Sequence, residues 1–168
     1  MSEKILVGVS GGVDSALSAL RLRDLGYDVT AAHLILKDGE DPTDRLRLER
    51  LARHVPVHEL DCRARFCERV VRPFLDAYRK GLTPNPCVIC NAALKFRALF
   101  ELADRLGIPR AQTLAVGDSE NDRAMLEKAG VAAVMANGMP QIKALADLVT
   151  TADCDHDGVA EVFGTLGL

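Results

Sequence analysis

The chain has 168 residues, 48% of them apolar, with a net charge of −3 and five cysteines. That length supports one sizeable core and is short for two, and the charge argues against a duplex- or tRNA-binding surface, which shows a basic balance. No apolar run reaches the roughly 18 residues of a membrane span, no signal-peptide core precedes the first glycines, and an odd cysteine count argues against a disulfide framework; a soluble protein of a reducing, cytoplasmic compartment is expected.

The first predicted element is an apolar strand at Lys4–Val9. It runs into "SGGVDS", residues 10–15, which opens a helical pattern. Gly11 and Gly12 let the backbone turn tightly and present N–H groups, with that of Val13, to an anion. The helix N-terminus adds its partial positive charge. Ser10 and Ser15 supply hydroxyl donors, and Asp14 beside an anion points to a bridging Mg²⁺. The lysine of a GxxxxGK[ST] loop is missing, so this is a different phosphate loop. A tight strand–helix turn with a serine cap is the plainer reading of Gly-Gly alone.

Strands are predicted next at residues 28–36 and 55–60. The polar stretch "LKDGEDPTDR", residues 36–45, reads as a loop between them. Phe66, Val70, Val71, Phe74, Leu75 and Tyr78 then repeat at helical spacing. "KGLTPNPCVIC", residues 80–90, holds two prolines and a glycine and reads as an ordered loop or lid. Its Cys87 and Cys90 form a C-x-x-C: a redox pair, half a metal site, or structural thiols. No second C-x-x-C completes a four-cysteine site.

A further helix carries Leu94, Ala98, Leu99, Leu102, Ala103 and Leu106, with Gly107 as its cap. The strand at residues 113–116 leads into "VGDSEND", residues 116–122. Asp118 falls at the strand's C-terminal end, where open α/β sheets place ligands. Asp122 lies one helical turn on and can return to the same site. Two carboxylates are hard oxygen ligands suited to Mg²⁺; an acidic, capped helix start is the alternative. Strands at 132–135 and 148–150 complete the series. Strands alternating with helices predict βαβ units, a parallel sheet and helices on both faces.

The segments "VGVSGGVDSALSALRL", "GYDVTAAHLIL" and "VVRPFLDAYRKGLTPNPCVICNAALKF" resemble the ATP pyrophosphatase domain of the tRNA 2-thiouridylase family, over about residues 4–96. The resemblance implies that Ser10, Gly11, Gly12, Val13, Asp14 and Ser15 hold ATP phosphates. It places Leu34 by the adenine and makes Cys90 the nucleophilic, sulfur-accepting cysteine. The stretch from "LGIPRAQTLAVGDSENDRAMLEKAG" to the end resembles the C-terminal half of Cof-type haloacid dehalogenase-like phosphatases. There Asp118 is implied as a Mg²⁺ ligand supported by Asp122, and Lys95 as the lysine that steadies the phosphoryl group. Lys95 also lies in the "KF" of the thiouridylase pattern, so both likenesses meet on the helix at residues 91–106.

Each likeness is incomplete. The phosphatase family carries a nucleophilic Asp after its first strand, where this chain has "VSGGVDS". Without it the covalent phosphoryl step has no carrier. The second catalytic cysteine and the RNA-binding domains of the thiouridylases have no counterpart in the sequence. Both families build a parallel sheet of order 3-2-1-4-5. The expectation is one α/β domain over residues 1–168: a three-layer, doubly wound, Rossmann-like sheet of five or six strands, order 3-2-1-4-5(-6). Residues 1–96 form its ATP pyrophosphatase-like half and 97–168 its phosphatase-like half. The glycine loop and Asp118 are expected to face each other across the crevice. Functionally this reads as a recombined, designed or engineered chimera with at most residual ATP or phosphate (Mg²⁺) binding, no cofactor required for folding, and no native turnover. An adenylating, sulfur-transferring enzyme using Cys90 and a Mg²⁺-dependent phosphatase are the alternatives. Nucleotide or phosphate is the expected ligand; neither tRNA nor a membrane is expected as a partner.

Overall fold

The computed structural model describes residues 3–39 and 41–167; the side chain of Asp14 lies outside the described set. Its strands are β1 (Lys4–Val9), β2 (Asp28–Ile35), β3 (Val57–Asp61), β4 (Leu114–Gly117), β5 (Val131–Val134) and β6 (Leu148–Val149). Each lies within two residues of a stretch read as strand. All ladders are parallel, so the chain is α/β.

The pleat of β2 organises the first half. Its odd residues Val29 and Ala31 join Val9 and pack against Ala19 of α1 (Val13–Asp24) and Leu48 and Leu51 of α2 (Pro42–Leu51). Its even residue Leu34 faces the opposite cluster, with Leu60 of β3. That cluster is built by two long helices. One spans residues 63–79, as α3 (Arg63–Phe66), a π turn at Cys67–Val71 and α4 (Arg72–Arg79). The other spans residues 86–105, as α5 (Pro86–Cys90), a π turn at Asn91–Lys95 and α6 (Phe96–Arg105). Period-2 alternation buried on both faces is what a parallel sheet between two helical layers requires. Gly107 closes the second long helix, where the Ile108 N–H donates to the Ala103 carbonyl at 2.9 Å.

Two stretches read as loops are partly helical. Residues 36–45 give up their second half to α2, and residues 80–90 give up their last five to α5. The reason is the same in both. Pro42 and Pro86 occupy the first helical turn, where a missing N–H costs nothing and φ is preset. Asp41 accepts from the Thr43 N–H at 2.7 Å, and Asn85 from the Cys87 N–H at 3.0 Å. Each proline therefore starts a helix.

The expected single sheet is corrected at its centre. Two three-stranded sheets form, ordered β1-β2-β3 and β4-β5-β6, and among the described residues no ladder joins β1 to β4. Ile5 and Val7 of β1, Leu99 and Phe100 of α6, Ile108 and Leu114 line an apolar cleft of about 520 Å³ between them. The second sheet packs Ala115, Ala132 and Val134 on Leu126 of α7 (Arg123–Leu126) and Ile142 of α8 (Pro140–Lys143). The C-terminal helix α9 (Gly158–Leu166) brings Phe163 and Leu166 to the cleft. Among the described residues no helix is long and apolar enough to cross a membrane.

Candidate functional site

β1 ends at Val9, and the chain turns through Ser10, Gly11 and Gly12 into α1. Gly11 has φ +89°, a backbone state open mainly to glycine. Helix α2 lies directly on it: a Cβ at Gly11 would stand 2.6 Å from the Asp44 Cβ and 3.1 Å from the Asp44 Cα. Gly12 caps α1 with extended backbone and no side-chain hydrogen bond. The first-turn N–H groups, which have no intrahelical partner, are thus left at the loop. The Gly12 N–H reaches Ser10 Oγ at 3.4 Å, and Ser15 Oγ donates to the Gly12 carbonyl at 3.3 Å.

A pocket of about 430 Å³ opens beside this turn, at the C-terminal ends of β1 and β2. Val9, Leu34, Leu36, Phe96 and Leu99 form its apolar wall, and Ser10, His33, Lys37, Asp41, Asp44 and Lys95 its polar part. Of the residues expected from sequence, the structure brings Ser10, Leu34 and Lys95 into one pocket. Gly11, Gly12, Val13 and Ser15 lie on the adjoining turn; the side chain of Asp14 is outside the described set. The π turn that buries Leu94 leaves Lys95 on the pocket side.

His33, Lys37, Asp44 and Phe96 were not foreseen. His33 is buried in β2, and its Nδ1 donates to the Val9 carbonyl at 3.0 Å, tying the ends of the two strands together. Its only signal in the sequence was a polar residue inside an apolar strand. Asp44 is held by Arg47, whose Nη1 lies 2.9 Å from Asp44 Oδ1 and 3.5 Å from the Gly11 carbonyl.

Cys90 is 6% exposed and does not line the pocket. It packs with Cys62, Val70, Leu94 and Ala98, behind the Leu34 and Leu36 that form the pocket wall. Burial pushes its thiol up from the ordinary range, only partly countered by Lys95. Burial also pushes up Cys62. All five cysteines are free; Cys67, Cys87 and Cys154 are exposed. Titrating the native protein at neutral pH with an aromatic disulfide reagent is expected to modify three thiols quickly, and Cys62 and Cys90 only after denaturant is added. Four fast thiols, with Cys90 among them by peptide mapping, would contradict this placement.

The GDSEND turn forms a separate structure. Asp122 Oδ2 accepts from the Asp118 N–H at 3.2 Å, the Ser119 N–H at 3.3 Å and Ser119 Oγ at 3.2 Å. It closes a capping box over a 3₁₀ turn at Glu120–Asp122. Gly117 permits this, since a Cβ there would stand 2.5 Å from the Asp122 Cβ. Asp118 Oδ2 accepts from Asn137 Nδ2 at 2.8 Å. Among the described residues no three His, Cys, Asp or Glu side chains are grouped to hold a metal ion. Asp118 is also not in the nucleotide-sized pocket, which corrects the expected meeting of the two motifs across one crevice. Asn91 Nδ2, on the second long helix, donates to the Asn121 carbonyl of this turn at 3.2 Å.

A family model described as the tRNA methyl transferase HUP domain matches residues 3–129, past the Phe96 limit of the recognisable motifs. The tRNA-specific 2-thiouridylase MnmA of Nitratiruptor sp. is 41% identical over 117 residues, covering 67% of this chain and 34% of that protein. The chain spans about a third of the length of the curated relatives it matches. Among solved structures, Thermoplasma acidophilum 0175 aligns at TM-score 0.55 and 15% identity, covering 99% of both chains. The cobalt-bound deoxy-D-mannose-octulosonate 8-phosphate phosphatase of Haemophilus influenzae aligns at TM-score 0.50 and 15% identity, covering 98% of this chain and 86% of its own. At that identity the two structures show shared fold alone.

Proposed function

The chain belongs to the tRNA methyl transferase HUP-domain family over residues 3–129, and from that premise we propose that it binds a nucleoside triphosphate, ATP by resemblance, at the C-terminal ends of β1 and β2. The observation that carries the reading is the uncapped N-terminus of α1 behind Gly11 and Gly12, opening beside a 430 Å³ pocket. That volume lies within the roughly 300–1,000 Å³ of small-molecule sites. Leu34, Leu36 and Phe96 offer an apolar wall to the base. Ser10, the backbone N–H groups of the turn and Lys95 face the phosphates. Mg²⁺ enters with those phosphates, as it does where one or two carboxylates and a nucleotide share it. Asp118 and Asp122 do not fit as a preformed metal pair, because Asp122 Oδ2 already accepts three hydrogen bonds.

The reading stops at binding. The phosphatase-like part supplies no Asp nucleophile after Val9. Sulfur transfer needs an accessible thiolate, and Cys90 is buried with its thiol pushed up. We read the family match over residues 3–129, beside the resemblance of the sequence from Leu106 onward to Cof-type phosphatases, as two ancestries whose signals overlap up to residue 129.

Calorimetric titration with ATP and Mg²⁺, followed by product analysis of the same sample, is the test. One-site binding with AMP, pyrophosphate and phosphate at background is expected. AMP and pyrophosphate release that disappears in Cys90→Ala would restore the adenylating reading. Metal-dependent phosphate release that disappears in Asp118→Ala would restore the phosphatase reading. Absence of any binding overturns the proposal itself.

A further inference from the structure

The charges around the pocket do not cancel. Asp41 is the cap of α2, its Oδ1 accepting from the Thr43 N–H at 2.7 Å. That hydrogen bond holds its carboxyl below the ordinary range. Asp44 is paired with Arg47 at 2.9 Å. Asp44 therefore has its counter-charge in Arg47, which also contacts the Gly11 carbonyl at 3.5 Å, while Asp41 is hydrogen-bonded but keeps its negative charge. Two cations remain. Lys37 follows the end of β2 and Lys95 ends the π turn; both line the pocket with Ser10. Neither makes an ion pair or a hydrogen bond with a described residue. Two lysines against the single un-ion-paired carboxylate of Asp41, on different elements of one pocket, leave a net positive charge beside an N–H-rich turn. Such a pocket is complementary to an anion carrying more than one charge.

We propose that Lys37 is a second phosphate-binding cation of this site, acting with Lys95 on the outer phosphates, so that the pocket selects a nucleoside triphosphate over a monophosphate. This rests on the nucleotide-binding reading above. Neither sequence motif includes Lys37. Its place two residues beyond the end of β2, in the same pocket as Lys95 and Ser10 but on a different element, gives it the role. A monophosphate seated on the turn is neutralised by backbone N–H groups and the helix end. The additional charge of a triphosphate is met by the Mg²⁺ that enters with it and by the two lysines.

The experiment compares ATP and AMP binding to the full chain as wild type, Lys37→Gln and Lys37→Arg, with thermal midpoints recorded for each. Lys37→Gln is expected to weaken ATP by about tenfold, the scale of one charge-assisted contact, and AMP by less than about twofold. Lys37→Arg is expected to keep ATP affinity within about threefold, since the charge is retained. The salt dependence of ATP affinity should become shallower in Lys37→Gln, a change that a merely structural role would not produce. Equal losses for ATP and AMP, or no loss at all with wild-type binding intact, overturn the role of Lys37 while leaving the pocket as the site. Failure of the wild-type chain to bind either nucleotide removes the underlying reading and this one with it.

Discussion

Replacing Gly11 with valine is expected to cost roughly 2–5 kcal/mol of folding stability, from a left-handed backbone penalty of about 1–2 kcal/mol and overpacking of about 1–3 kcal/mol. The backbone at Gly11 has φ +89°, which a β-branched residue strongly disfavours. The new Cβ would also stand 2.6 Å from the Asp44 Cβ and 3.1 Å from its Cα. The Cα belongs to the helix backbone, so α2 itself must shift, and with it the buried Leu48 and Leu51. Urea unfolding followed by far-UV circular dichroism gives the cost directly. A Gly11→Val midpoint equal to wild type would mean that α2 does not rest on the turn. Loss of nucleotide binding in this variant, however, would follow from refolding of the loop as readily as from a blocked phosphate. Gly12 separates the two effects. Its φ of −69° and ψ of 157° suit any residue, and a Cβ there meets only Ser10 Oγ, at 3.4 Å. Gly12→Ala is expected to leave stability within about 1 kcal/mol of wild type and to weaken ATP where phosphate approaches the turn. ATP affinity unchanged in a folded Gly12→Ala would count against the turn as the phosphate site.

Much of the first half was legible because its signals are local. The alternation in "GYDVTAAHLIL" is the pleat of β2, and the helical repeat from Leu94 to Leu106 is the buried stripe of α6. The stretch holding Pro42 was read as a loop for its polarity, and that holding Pro86 for its prolines, because proline ends helices far more forcibly than it starts them. The residue before each, Asp41 and Asn85, carried the opposite message: a side-chain acceptor ahead of a proline is a helix start. The seam was not legible at all. Whether β1 pairs with β4 depends on how Phe96, Leu99 and Phe100 fill the space between strands a hundred residues apart, and no periodicity reports that. The same holds for Lys37, which looks like any loop lysine until β2, α2 and the second long helix are set around it. Cys90 shows the reverse case. Its motif is distinctive, but the burial that sets its reactivity comes from Cys62, Val70 and Leu94, contacts a motif does not contain.

Replacing Ile142 with alanine is expected to destabilise the whole chain by about 2–5 kcal/mol, the range for truncating a fully buried isoleucine. Ile142 is 0% exposed and packs among Ala115, Leu126, Ala132 and Val134, so truncating it opens a void in the core of the second sheet. The expectation that the effect is global rests on the cleft. Tyr27, Ile5 and Val7 from the first half and Leu114, Val131, Phe163 and Leu166 from the second line one apolar space. Opening either half alone would expose the other's apolar wall to water. The chain supplies its own probe for this. It has no tryptophan and two tyrosines, Tyr27 and Tyr78, both in the first half. Tyrosine fluorescence therefore reports on the first sheet, and far-UV circular dichroism on both. If the halves unfold together, Ile142→Ala lowers the tyrosine-monitored urea midpoint by the same amount as the dichroism midpoint. A tyrosine midpoint that stays at its wild-type value, while part of the dichroism change moves to lower urea, would show that the two sheets unfold independently and that the seam carries no cooperativity.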